Sequence, residues 1–234
     1  MRKFIMLVSI LLMLVLMGLG FIYGSRMRDY SLMIIFAVLL ILSFSYLYFE
    51  KSNMGTKEIA IIGTLSAFGG AARVPFAALP NVQPTTFFVA LSGYVFGPYE
   101  GFLVGTTTAF ISNIFLGQGP WTPWQMFAWG LIGFISGTIG IKNSHKNKKM
   151  SSEGFAMLCF FYGFIFDWIM NLWHVLGFIR PLTLEKILAA YITGLTFDII
   201  HAGGNFVFAI ILFENLYKVL YRFKKRVIIT YIKE

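Results

Sequence analysis

Two polar trios interrupt otherwise apolar stretches in the last third of the chain. Asp167, Asn171 and His174 are spaced four and three apart, and Asp198, His201 and Asn205 three and four apart. Either spacing puts a trio on one face of a helix. Carboxylates, imidazoles and carboxamides on two facing helices can relay protons or hydrogen-bond a polar solute. An ionised carboxylate at mid-membrane depth costs at least ~2.5 kcal/mol on insertion scales. Asp167 and Asp198 are therefore expected to be neutral or paired, with His201 and Arg73 as the partners. The competing reading is structural: Asp198 and Asn205 hold helices together, and Arg73 snorkels to the headgroups.

A second polar constellation lies between Gly69 and Gly137, where GGAARVPFAALPNVQPTT and SNIFLGQGPWTPWQMFAWG break the apolar runs. Span alone does not call for such turns. Arg73, Asn81, Gln83, Asn113, Gln118 and Gln125 suggest a solute-binding mouth, and Trp121 and Trp124, interleaved with two prolines, suggest a shaped lid over it. Tryptophans at a membrane boundary also serve as interfacial anchors.

The elements that must position these residues follow from composition. Hydrophobic residues make up 58% of the 234, charged residues 12%, and there are 26 Phe. That is more apolar surface than a soluble domain of this size can bury, so the chain is an integral membrane protein. Its apolar runs are continuous rather than alternating, which selects helices over barrel strands. The fold class is an all-α polytopic bundle. With roughly 20 apolar residues per crossing, helices are expected near 4–23, 30–49, 57–74, 85–97, 100–117, 123–141, 154–178 and 187–217. Residues 1–50 form an N-terminal hairpin and 51–234 a six-helix membrane domain. The first segment is read as a retained helix, the alternative being a secretory signal. Gly97-Pro98 leaves almost no loop and implies a tight antiparallel turn. Cys159, the single cysteine, lies in an apolar run and is read as packing.

Charge orients the stack. Lys142, Lys146, Lys148 and Lys149 share one loop, and Lys218, Arg222, Lys224, Lys225 and Arg226 follow the final span, so both sites belong in the cytoplasm of a plasma-membrane protein with both termini inside. Arg26 and Arg28 then fall outside. The net charge of +9 sits where topology already demands it, and nucleic acid is not an expected partner. Three proline-bearing connections, 75–84, 118–122 and 179–186, fall on the outer face.

Small-residue repeats, Gly101-x-x-x-Gly105, Gly133-x-x-x-Gly137 and Gly63-x-x-x-Ala67, permit close helix approach. There is no GxxxxGK[ST] phosphate loop, no HExxH pair and no GxSxG elbow, so ATP hydrolysis, metalloprotease and hydrolase chemistry have no visible site. No cofactor, metal or catalytic residue is expected. A self-contained proton-coupled secondary transporter with Asp167, Asp198 and His201 as relay remains an alternative, and recognisable inverted halves are missing for it.

Residues 57–220 resemble the substrate-binding S component of energy-coupling factor (ECF) vitamin transporters. The resemblance is carried by ARVPFAALPNVQPTTFFVALSGYVFGPYEGFLVGTTTAFISNIFLGQGPWTPWQMFAWGLIGFISG, FDWIMNLWH and FDIIHAGGN. It implies a six-helix core, a vitamin pocket closed by extracellular loops, and a vitamin substrate. Its implied partners are a transmembrane coupling subunit and two ATPase subunits, which drive toppling of the S component in the lipid bilayer. The GQGPWTPWQ signature is similar to that of S components associated with cobalamin or a related corrinoid. The Ala-x-x-x-Ala docking motif of the family occurs in inexact form as Ala60-x-x-x-Thr64 or Gly63-x-x-x-Ala67, and the two helices before Lys57 have no family counterpart.

Overall fold

Gly97 and Pro98 set the sharpest turn in the chain. Gly97 has φ of 132°, a region that penalises any side chain, and Pro98 takes the first position of the next helix, where its missing N–H costs nothing. The computed structural model describes residues 27–50, 55–146 and 148–233. Seven helices run through them: α1 Met27–Glu50, α2 Thr56–Arg73, α3 Thr85–Phe96, α4 Pro98–Leu116, α5 Thr122–His145, α6 Ser152–Phe178 and α7 Leu184–Lys233. A short 3-10 turn, Val74–Phe76, follows α2. The helix expected near 4–23 lies outside the described residues.

Local chemistry explains the helix starts. Glu58 reaches back to the Gly55 N–H to cap α2, and the Ser151 hydroxyl accepts the Gly154 N–H to cap α6. Among the described residues, four segments are long and apolar enough to cross a membrane: Thr56–Phe76, Thr122–His145, Ser152–Phe178 and Leu184–Arg226. At ~1.5 Å per residue α3 is only about 18 Å long. It survives in the bundle because ten of its twelve residues are buried, packed against α4, α5 and α7.

Backbone contact holds the centre. A Cβ on Gly133 would land on the Gly101 carbonyl, one on Gly93 would land on the Gly133 carbonyl, and one on Gly105 on the Trp129 carbonyl. Two of the small-residue repeats thus face each other across α4 and α5, the closest pairing expected of such repeats. The third does not join them: a Cβ on Gly63 would meet nothing.

The first described helix is fastened to the core rather than loosely attached. Tyr46 on α1 hydrogen-bonds the hydroxyls of Thr106 (3.1 Å) and Thr107 (2.9 Å) on α4, and Tyr99 donates to the Ser45 carbonyl. At the other extreme, α7 does not stop near residue 217. It runs for 50 residues, about 75 Å at ~1.5 Å per residue, against a hydrocarbon core of ~30 Å. The segment after 217 holds no Gly or Pro to end the helix, and its Lys and Arg residues propagate it well. Lys148, Lys149 and Lys224 gather at one end of the bundle, where Lys224 Nζ donates to the Val95 carbonyl and closes the last turn of α3.

Candidate functional site

The opposite end is built around Arg73, the last residue of α2. Its Nε donates to Gln83 Oε1 (2.6 Å), and its Nη1 donates to Ser112 Oγ (3.0 Å) and Asn113 Oδ1 (2.9 Å). The guanidinium carbon lies 5.1 Å from the centroid of the Trp129 ring, within cation–π range. Sequence reasoning expected a carboxylate partner or snorkelling, and neither occurs. Asp167 and Asp198 face the α6–α7 seam, so the cation is held by neutral acceptors and an aromatic face.

Asn113 passes the bonding on. Its amide nitrogen donates to Thr122 Oγ1 (3.0 Å) and Gln125 Oε1 (2.7 Å). Thr122 in turn donates to Gln118 Oε1 (2.9 Å) and accepts from the Gly119 N–H, which uses its one proton and both lone pairs. Gln118 is exposed and ties back to the Phe110 carbonyl. Arg73, Gln83, Asn113, Gln118 and Gln125 therefore form one continuous network.

A second network starts on the far side of Trp129. Its indole N–H donates to Thr86 Oγ1 (2.9 Å), Thr86 bonds His201 Nε2 (3.1 Å), and His201 Nδ1 pairs with Asp167 Oδ2 (2.8 Å). The chain is fully satisfied when Thr86 donates to Nε2 and Nδ1–H donates to the carboxylate. Asn81, in the connection before α3, donates to Asp167 Oδ1 (3.2 Å) and to the Phe197 carbonyl (3.0 Å). Asn81 adopts φ of 54°, which asparagine tolerates better than most residues. Phe166 stacks on Trp129 with ring centroids 4.3 Å apart.

A cavity of about 320 Å³ opens between these networks and the 74–84 connection, lined by Arg73, Phe76, Asn81, Val82, Gln83 and Leu116. Its lining is mixed: a guanidinium and two carboxamides together with Phe76, Val82 and Leu116. Such a lining can donate several hydrogen bonds to a flat, carbonyl-bearing solute while its apolar residues cover the rings.

Other sequence-predicted residues sit elsewhere. Trp124 is 1% exposed and belongs to the core, so it is not an open lid. Trp121 packs edge-on against Trp173 at 6.2 Å, joining the start of α5 to α6. Asn205 is spent on structure: its Oδ1 accepts the Phe87 N–H of α3's first turn (3.1 Å), and its Nδ2 donates to the His201 carbonyl. Asn171 reaches Asp198 only at 3.4 and 3.5 Å. His174, predicted to share the buried face, is exposed and stacks on Phe178. It stands one turn before the end of α6, where the neighbouring helices no longer cover that face. Ala60, Gly63, Thr64 and Ala67 are exposed on α2. Ala60 and Thr64 line an apolar groove of about 220 Å³ that is completed by Phe96, Leu220 and Phe223.

Sequence reasoning missed Trp129, Thr86, Ser112, Thr122 and Phe166. Thr122, Gln125 and Trp129 stand three and four apart on one face of α5, a spacing that would have drawn attention to Trp129. Nothing local marks Thr86 or Phe166, whose roles come from tertiary contact.

Comparison with known proteins adds an independent line. The family model described as "ECF-type riboflavin transporter, S component" matches residues 53–222. Among curated relatives, a UPF0397 protein of Aliivibrio fischeri is 27% identical over 169 residues, covering 68% of this chain and 87% of that protein. A UPF0397 protein of Vibrio atlanticus is 27% identical over 112 residues, 45% of this chain and 61% of the relative. One from Clostridium perfringens is 34% identical over 95 residues, 38% of this chain and 50% of the relative. The chain thus spans less than two thirds of the length of some relatives and most of others. No solved structure matches the chain.

Proposed function

The chain belongs to the ECF-type riboflavin transporter S component family, a transporter family and not an enzyme family, and from that premise we propose that it captures a flavin-type vitamin in the Arg73 cavity. It delivers that vitamin across the membrane only when joined to a transmembrane coupling subunit and two ATPase subunits. The observation that carries the reading is a guanidinium that lines a cavity with neutral partners alone. Its remaining N–H donors suit the carbonyl oxygens of a flat heteroaromatic ring, and Asn81 and Gln83 suit a polyhydroxylated side chain. The basic end faces the cytoplasm by the positive-inside rule, which puts the cavity on the extracellular side.

The corrinoid suggested by the GQGPWTPWQ resemblance is not retained in this proposal. The matching family model is described for riboflavin transport, and a cavity of about 320 Å³ lies at the lower end of the range for small-molecule sites. A corrin ring with its amide side chains is far larger. The exposed Ala60–Ala67 face with its apolar groove is the proposed seat for the coupling subunit.

The test is uptake into proteoliposomes containing this chain alone or the chain with coupling and ATPase subunits. Radiolabelled riboflavin should bind in the first case and accumulate only in the second, with ATP. Accumulation by the chain alone that collapses with a proton uncoupler would establish a secondary transporter instead.

A further inference from the structure

The basic end carries a second cavity, of about 330 Å³, that vitamin capture does not use. It lies between the last turns of α3 and α5, the 146–150 connection and α7. Lys148, Lys149 and Lys224 line it, together with Ser144, Tyr217 and Tyr221. We propose that this cavity binds the phosphate of an anionic phospholipid headgroup.

Three features support that occupant. The first is charge. Among the described residues Lys148 has no carboxylate partner. Glu214, which pairs with Lys149, is shared with Lys218 at 3.2 Å, and Glu100 acts on Lys224. Three ammonium groups line the cavity against the two nearby carboxylates, which leaves it net positive. The second is geometry: donors converge from several elements. Lys149 is held over the Tyr217 ring at 5.2 Å, Tyr217 and Tyr221 stack with planes 12° apart, and Tyr94 accepts from Asn143 and from the Met150 N–H, which fixes the 146–150 connection as one wall. The third is position. The cavity sits where the apolar spans give way to basic flanks, the depth of a lipid headgroup. Basic pockets between helices at that depth recognise phosphate-bearing lipids, and tyrosines there present an apolar ring with a polar tip. A bound lipid would brace α7 against α3 and α5 at the point where α7 leaves the bundle.

The experiment is native mass spectrometry and thermal unfolding of the full-length protein, purified in detergent. Phosphatidylglycerol, phosphatidylcholine or inorganic phosphate is added to it. Phosphatidylglycerol should be retained and should raise the melting temperature, while phosphatidylcholine should do neither. Lys148→Gln should weaken retention by roughly fivefold, and adding Ser144→Leu, which fills the cavity, should abolish it. Lys142→Gln, an equal loss of charge at a residue that does not line the cavity, should leave retention unchanged. Equal loss in the Lys142 variant would reduce the effect to general surface charge and overturn the site. Stabilisation by inorganic phosphate equal to that by phosphatidylglycerol would overturn the lipid as its occupant. Riboflavin binding by the Lys148 variant should be unaltered, so that failure here is separable from failure at the opposite end.

Discussion

Replacing Arg73 by alanine should cost both stability and affinity, and the structure sets the size of each. Asn113 is 2% exposed, so water cannot readily replace the guanidinium donor at its Oδ1. An unsatisfied buried acceptor costs ~1–3 kcal/mol. Trp129 is fully buried and loses a cation–π partner worth ~1–2 kcal/mol. Gln83 Oε1 borders the cavity and can turn to solvent, so its loss adds little. The sum, ~2–5 kcal/mol, corresponds to a melting temperature lower by roughly 4–20 °C for a chain of this length. Arg73→Lys keeps a charge near the indole but not the fork that spans three acceptors, and should lose about half as much. Both variants should be followed by thermal unfolding in detergent, with riboflavin affinity measured on the same samples. Affinity should fall about tenfold or more in Arg73→Ala, the loss of a charge-assisted hydrogen bond. A melting temperature within ~2 °C of the parent, with unchanged affinity, would refute the assignment of Arg73 to both the network and the site.

Other substitutions probe separate parts of the account. Gly133→Ala drives a methyl into the Gly101 carbonyl and should cost ~1–3 kcal/mol or more as α4 and α5 part, whereas Gly63→Ala meets nothing and should be neutral; equal melting temperatures for the two variants would contradict the crossing. Trp124→Ala removes a ring that is 1% exposed and should cost ~3–5 kcal/mol in thermal unfolding; weakened binding with stability intact would restore its role as a lid. Ser144→Cys should resist an impermeant thiol reagent added to intact cells and Gly119→Cys should react, while native Cys159, fully buried, stays silent; the reverse labelling would invert the topology.

The helices were legible because membrane spans announce themselves by length and apolarity. Gly97-Pro98 marked its own turn, and the Gly101 and Gly133 repeats marked a crossing. The end of α7 was not legible: basic residues after 217 read as the flank of a span, yet the same residues favour helix, and no breaker follows. Around the candidate site, residue types paired the buried carboxylates with His201, which does bond Asp167, but they mispaired Arg73. Arg73 was matched with carboxylates on the ground that charges seek opposite charges, whereas the chain supplies it with Gln83, Ser112, Asn113 and an indole. Trp124 and Trp129 are equally apolar in sequence; only the packing of α4 and α6 against α5 decides that one fills the core while the other bridges two networks. Asp167 and His201 were correctly placed on facing helices because their spacing is periodic. Thr86, which joins His201 to Trp129, carries no periodic signal.

The most direct test of the central claim is a fluorescence titration of riboflavin with the purified chain alone, in detergent, with cobalamin offered as competitor. Saturable quenching of the flavin at one site per chain is expected, weakened in Arg73→Ala and untouched by cobalamin. Absence of saturable quenching, or displacement of the flavin by cobalamin, would contradict the claim.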